Sequence, residues 1–290
     1  MSDTRSATVL GTASAAGAYV MWGLFPLYFK AVAHVPAVEV LAHRIAWTMV
    51  LMAGVVALLR RWRRVAAVFA DRRIIGSLAL AAAVITVNWG VFIWAIAVGR
   101  VLESSLGYFI NPLVSVLLGV AVLGERLRPL QWGAVALAAA GVGYQVVAVG
   151  VVPWVSLTLA VSFGVYGLIR KVVTVDPTTG LFVETLLLAP FAAGYLVLLT
   201  ADGTGAIGLA GWVTTALLLA SGPLTALPLL MFVAGAQRIR LSTLGLLQYI
   251  VPTGHFLLAV FAFGEPFTVH TLVTFACVWA ALGLYAFSGR

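Results

Sequence analysis

Ser104, Tyr108, Asn111 and Ser115 follow one another at steps of four, three and four residues. That spacing keeps side chains on one face of a helix. Two hydroxyls, a phenol and a carboxamide on one stripe can donate and accept hydrogen bonds. They hold no nucleophile–base pair, so they suit recognition of a solute, or hydrogen bonding between helices. Pro112 stands beside Asn111; it removes a backbone donor and frees a carbonyl one turn earlier. A second stripe, Leu244, Gln248, Val251 and His255, carries Pro252 at the corresponding place. Gln248 answers Tyr108 there, and His255 answers Ser115. Pro112 and Pro252 are read as helix breaks near mid-depth, where membrane-embedded sites expose backbone to a ligand.

Glu39, Arg44 and Glu184 are set within apolar sequence, and His43 follows Glu39 by one helical turn. A charge near a bilayer centre costs on the order of 3 kcal/mol, so each needs a reason. Arg44 suits an anionic solute group or a ring of carbonyls; its structural alternative is an ion pair with Glu39. Glu184 suits a coupling proton; its alternative is a pair with the nearby Arg170–Lys171 end. Glu39 and His43 suit a proton relay, against an interfacial histidine that is simply satisfied. Trp22, Tyr28, Trp89, Trp94 and Tyr166 could line a cavity for flat or amphipathic solutes, although aromatic rings also form interface belts.

Other chemistries lack their residues. There is no Gly-x-x-x-x-Gly-Lys loop for nucleotide phosphates, and Gly141-x-Gly143 lacks the third glycine of a dinucleotide fold. There is no His-Glu-x-x-His and no Gly-x-Ser-x-Gly. The aspartates, Asp3, Asp71, Asp176 and Asp202, fall in loops or tails, and the four histidines show no metal-ligand spacing. The expectation is no enzyme, no metal and no cofactor. One cysteine, Cys277, excludes a disulfide framework.

The elements that must carry these residues follow from composition. Of 290 residues, 63% are hydrophobic and 9% charged, against roughly 25% charged in a soluble domain. Lipid as solvent accounts for that poverty. A membrane-crossing helix needs about 20 apolar residues, so ten of them with short loops use nearly the whole chain. The spans are placed at 9–30, 36–59, 74–98, 103–123, 128–149, 151–170, 180–200, 209–236, 241–263 and 268–288. Only Gly150 and Pro153 mark the break between the fifth and sixth. The first is read as retained rather than as a cleaved signal.

With the N-terminus inside, the inner loops and tails carry 14 Lys and Arg and the outer loops only Lys30 and Arg100. That bias predicts cytoplasmic N- and C-termini. It also assigns the net charge of +8 to topology rather than to nucleic acid. The partners expected are the lipid bilayer and a small-molecule substrate. Gly133, Ala136, Ala140 and Gly143 form a small-residue seam, suited to close packing within one protomer or in a homodimer.

The chain repeats itself. Arg100, Ile110, Pro112, Leu117, Leu118, Val120, Gly124 and Glu125 recur 140 residues later as Arg240, Ile250, Pro252, Leu257, Leu258, Val260, Gly264 and Glu265. Trp22-Gly23-Leu24 matches Tyr166-Gly167-Leu168 more loosely. The fourth span thus matches the ninth. Mates five spans apart cross the membrane in opposite directions, which is the inverted-repeat build of secondary transporters. Two five-helix halves are expected, 1–150 and 151–290, forming one structural unit. Arg44 and Glu184 occupy matching positions in them.

Several stretches resemble a known family. Ala18-Tyr19-Val20-Met21-Trp22-Gly23-Leu24-Phe25-Pro26-Leu27-Tyr28, Glu39-Val40-Leu41-Ala42-His43-Arg44, Asn88-Trp89-Gly90 and Leu106-Gly107-Tyr108-Phe109-Ile110-Asn111-Pro112-Leu113 are similar to RarD-type proteins, a branch of the EamA-like transporters in the drug/metabolite transporter superfamily. Gly124-Glu125-Arg126, Glu184-Thr185-Leu186 and Leu247-Gln248-Tyr249-Ile250-Val251-Pro252-Thr253 continue the pattern. The resemblance covers residues 10 to 287 and implies an all-α protein of ten membrane helices in two inverted repeats, in a bacterial inner membrane. It implies a central cavity, to which the third-span motif adds Asn88, and export of a small organic metabolite or drug-like solute. The rival expectations are a passive channel and a non-transporting sensor or assembly protein.

Overall fold

The computed structural model describes residues 2–124, 127–236, 238 and 247–288. Glu125, Arg126, Arg240, Leu244 and Arg290 lie outside the described residues. The fold is all-helical, with no strand among those residues. Helices α3 (Ala37–Leu58), α5 (Arg72–Ala97), α6 (Val101–Leu123), α7 (Pro129–Val149), α8 (Trp154–Val172), α9 (Pro177–Ala201) and α11 (Gly211–Ala236) provide seven candidate membrane spans by length and composition. Helix α1 (Ser2–Gly23), the shorter apolar helix α12 (Ile250–Leu257) and α13 (Val269–Ser288) pack among them. The outer surface carries large apolar side chains such as Leu58, Val147, Phe191 and Trp212. In water these would be a liability; in lipid they are the solvated face.

The breaks are local consequences of sequence. Pro26 enters the second position of α2 (Phe25–Ala31) and separates it from α1, so the expected first span is two helices rather than one. Asp71 stops α4 (Trp62–Ala70) and caps α5, accepting from the backbone N–H of Arg73 at 2.8 Å and Ile74 at 3.2 Å. Helix α4 is a short amphipathic helix that the spans had assigned to a loop. Between α7 and α8, Gly150 adopts φ 72°, the left-handed C-terminal conformation that glycine takes without strain. Two residues sufficed to end a helix inside a charge-free stretch. Beyond α12 the helix widens into a π turn at Leu258–Ala262, and a short turn of helix, α10 (Ala206–Leu209), precedes α11.

Close packing runs along glycine contacts. A Cβ on Gly107 would lie 2.7 Å from the Ser156 carbonyl oxygen, so α6 and α8 touch backbone to backbone there. At Gly141 an added Cβ would meet Cys277 of α13 at 2.6 Å. The face of α7 packed on α13 is therefore Ala134, Ala138 and Gly141, all buried, whereas Gly133, Ala136, Ala140 and Gly143 are exposed. The small-residue seam exists, but it points away from the protomer.

At the end of the bundle where α4 turns into α5, Asp176 ties the start of α9 to the arginines around the start of α4. Its carboxylate pairs with Arg61 and with Arg64 at 3.3 Å, and accepts from the Thr179 N–H at 3.1 Å and its hydroxyl at 2.7 Å. Partial burial pushes this carboxyl up, but the Thr179 bonds and the two arginines outweigh it and hold it below the usual carboxylate range. A group depressed in this way lends stability above its unfolded value, about 3.9, and withdraws it as pH falls through the lower folded value.

Two outcomes follow for purified protein in detergent or nanodiscs. Gly107→Ala should lower the thermal midpoint, at an over-packing cost of about 1–3 kcal/mol. Gly143→Ala, with open space around it, should be neutral or slightly stabilising. Asp176→Asn should lower the midpoint at pH 7 and flatten its decline between pH 5 and pH 3 (approximate limits from the reference carboxylate range); an unchanged acid profile would show that the Asp176 pairs contribute nothing.

Candidate functional site

Three helices and the chain before α12 converge on a polar layer inside the bundle. Asn88 of α5 is buried and fully engaged. Its Nδ2 donates to the Leu159 carbonyl at 3.0 Å and the Ser162 hydroxyl at 2.9 Å, and its Oδ1 accepts from the Tyr108 hydroxyl at 3.2 Å. Asn111 of α6 repeats the device one residue further along α8: Nδ2 donates to the Ala160 carbonyl at 2.9 Å, and Oδ1 accepts from Gln248 Nε2 at 3.0 Å. Two carboxamides thus read consecutive carbonyls of α8. Their remaining valences reach Tyr108 and Gln248, one from each stripe. In a solvent that offers no hydrogen bonds, a buried carboxamide must find such partners.

The two prolines act differently from each other. Pro252 cannot donate to the Gln248 carbonyl, and the Val251 N–H takes it instead at 3.1 Å, tightening the entry to α12. That carbonyl is consumed locally rather than offered to a ligand. The Pro252 carbonyl itself accepts from Ser105 at 2.8 Å, a bond between α6 and α12 that the spacing of residues did not reveal. Pro112 lies within α6 without ending it.

A third proline matters more. Pro26 has no N–H to give the Trp22 carbonyl at the end of α1, and His255 Nε2 lies 3.0 Å from that oxygen. A carbonyl only accepts, so Nε2 carries the hydrogen. Nδ1 of the same ring is buried and unpartnered. The imidazole stacks on Phe92 at 5.2 Å and meets Tyr108 edge-on at 5.6 Å, so it belongs to the layer. The Trp22 indole does not share it: that ring packs with Tyr19 and Phe232. Ser104 bonds its own helix at the Val101 carbonyl, and Ser115 is exposed; the four-residue polar stripe of α6 therefore contributes only Tyr108 and Asn111.

Arg44 enters from α3 and is 4% exposed. Nε donates to Thr225 of α11 at 2.8 Å. Its Cζ sits 4.1 Å from the Trp89 ring centroid, with Phe29 at 5.6 Å and Phe25 at 5.8 Å. The alternative pair with Glu39 does not form. Glu39 instead accepts from the Ala206 N–H at 2.5 Å and stands 3.8 Å from His43 Nε2. Glu39 and His43 line a separate cavity of about 690 Å³ walled by Leu196, Thr200, Gly205 and Ile207. His43 Nδ1 is buried there without a partner.

Glu184 stands beside Arg170, one of the neighbours expected for it. It is 2% exposed, with Oε2 accepting from Tyr166 at 3.2 Å and Oε1 3.3 Å from Arg170 Nη1. The last two atoms are close enough for attraction but not aligned as a hydrogen bond, so their interaction is coulombic. Arg170 lies across Gly180, where any side chain would collide with the guanidinium. Tyr166 continues through Phe163 to Tyr108, an aromatic line from the carboxylate to the polar layer. Thr225, Ser105 and Ser162 complete the arrangement; single hydroxyls in apolar helices gave no spacing signal to find them by.

Comparison with known proteins places this geometry. Residues 9–145 match the EamA-like transporter family. A Vibrio cholerae protein named an uncharacterized transporter is 50% identical over 279 residues, covering 96% of this chain and 92% of its own. Protein RarD of Escherichia coli is 44% identical over 283 residues, 98% of this chain and 94% of its own. A Pseudomonas aeruginosa protein named chloramphenicol-sensitive protein RarD is 34% identical over 271 residues, 91% and 89% of the two chains. One solved crystal structure, 19% identical, matches 99% of both chains with a TM-score of 0.60, a likeness of fold.

The Asn111–Gln248 bond should show in a double-mutant cycle. Asn111→Ala and Gln248→Ala, singly and together, should reveal a coupling of about 0.6–1.7 kcal/mol in reversible unfolding from mixed micelles. Additive effects would mean that the two amides do not depend on one another.

Proposed function

Because the chain belongs to the RarD-type branch of the EamA-like transporters, in the drug/metabolite transporter superfamily, we propose that it is a secondary transporter exporting a small organic solute by alternating access. The observation that carries this reading is the pattern of helix packing. Let α1, α3, α5, α6 and α7 be the mates of α8, α9, α11, α12 and α13. The packing of α6 on α8 is then answered by α12 on α1, and that of α5 on α8 by α11 on α1. The pairs α3–α9, α6–α12 and α7–α13 answer themselves. The pattern supports two inverted halves, 1–150 and 151–290, with ten crossings when α1, α12 and α13 join the seven long apolar helices. Halves related in this way can exchange conformations, which turns a cavity open to one side into a cavity open to the other.

In this reading Asn88, Tyr108, Asn111, Gln248 and His255 form the floor of the solute site, with Arg44 at its edge. Glu184 with Tyr166 and Arg170, and Glu39 with His43, lie toward opposite ends of the antiparallel α3–α9 seam and are the proposed proton carriers. The arginines around α4, Arg128 and Arg170 support a cytoplasmic placement of that end in a bacterial inner membrane. The outward seam on α7 is the proposed contact for a second copy.

Reconstituted protein should exchange a labelled solute across liposomes by saturable counterflow, screened over metabolites and amphenicol drugs with and without a pH gradient. Asn111→Ala and Gln248→Ala should slow the exchange about tenfold, equivalent to ~1.4 kcal/mol. Flux that neither saturates nor shows counterflow would identify a passive channel instead. On a Cys277→Ala background, Thr204→Cys should react with an impermeant maleimide added outside whole cells and Arg63→Cys should not; the reverse labelling would overturn the proposed orientation.

A further inference from the structure

Arg44 is a buried cation without a counter-ion among the described residues. The ion pairs among the described residues join His43 to Glu39, Arg61 and Arg64 to Asp176, Arg100 to Glu103, and Arg170 to Glu184. None involves Arg44. Of the five N–H groups of a guanidinium, only the one on Nε has a protein acceptor among the described residues, the Thr225 hydroxyl. The other surroundings are the rings of Phe25, Phe29 and Trp89, and the phenols of Tyr28 and Tyr108 within electrostatic range. Tyr28 already donates to the Leu217 carbonyl and Tyr108 to Asn88. The mate position in the second half does hold an ion pair, Glu184 with Arg170. The chain therefore pairs one of its two matched buried charges and leaves the other open.

Physical chemistry restricts what completes such a site. A guanidinium is always charged and cannot shed a proton to ease its burial. With a ring against its face, its edge remains, and that edge presents parallel N–H groups that fit the two oxygens of a planar or tetrahedral anion. Three apolar rings around it favour a flat apolar group as the neighbour of that anion rather than a second charge. Resting on the transport reading above, we infer that the solute carries a carboxylate-type monoanion attached to a flat apolar group, and that the anion docks on the terminal nitrogens of Arg44 beside Trp89.

Charge and shape can be separated by isosteric probes. Benzenesulfonate against benzenesulfonamide, and phenylacetate against phenylacetamide, differ in charge while keeping the ring. Binding to the wild-type protein in nanodiscs, followed by tryptophan fluorescence with Trp89→Phe as the reporter control, should favour each anion over its amide by about tenfold or more. Arg44→Gln should lose that preference while keeping its affinity for the amides, and Arg44→Lys should recover part of it. Equal affinity for anion and amide in the wild type would overturn the inference without recourse to any variant. So would an Arg44→Gln protein that binds the anions unchanged, or the failure of every anion to bind. Anion binding that persists in protein showing no counterflow of any solute would instead count against the transport reading and leave the anion site standing.

Discussion

In the hydrocarbon of a bilayer no water answers a polar group, so a buried donor or acceptor is costly unless it is met from within the protein. The polar layer is built on that constraint. Asn88 and Asn111 each use both ends of their carboxamides, and the carbonyls they read belong to a helix already satisfied along its own axis. The result is a cross-linked seam of α5, α6, α8 and the approach to α12 that specifies one register. Small residues then let the backbones approach: without a side chain at Gly107, α6 can lie against Ser156 of α8, which brings Asn111 within reach of Ala160. Lipid on the outside and amides on the inside are two expressions of one rule.

The same rule bears on two buried charges, Arg44 and Glu184. They are opposite in sign and differ in company. Glu184 is enclosed by Tyr166 and Arg170, with Gly180 making space for the guanidinium. Arg44 is enclosed by rings. Glu184 is neutralised within the protein, whereas Arg44 has no ion-pair partner among the described residues.

Much of this was legible in the chain. The apolar runs located the helices because lipid imposes a length, and Gly150 with Pro153 marked a real end because only glycine adopts φ 72° freely. Tyr108, Asn111 and Gln248 were recognisable because carboxamides and phenols are rare where nothing outside can satisfy them. The helical period alone misjudged Ser104 and Ser115: the Ser104 hydroxyl bonds its own preceding turn, and Ser115 is exposed. It placed the α7 seam on a helix but could not tell its inner face from its outer one, because both faces of that helix are apolar. Glu39 was beyond reach for another reason. Its partner is a backbone N–H 167 residues away, and backbone groups leave no mark in a sequence.

The bond between His255 and the Trp22 carbonyl carries a mechanical consequence. Pro26 interrupts the expected first span between α1 and α2, and the missing donor is lent by α12. The break in α1 is therefore tolerable only while α12 lies alongside. A separation of a few ångströms would strand a carbonyl and an imidazole N–H together in a dry interior, with no intermediate distance that suits either. Such a contact does not stretch; it is made or absent. The α1–α12 seam is thus a detent, a notch that holds the two helices in register.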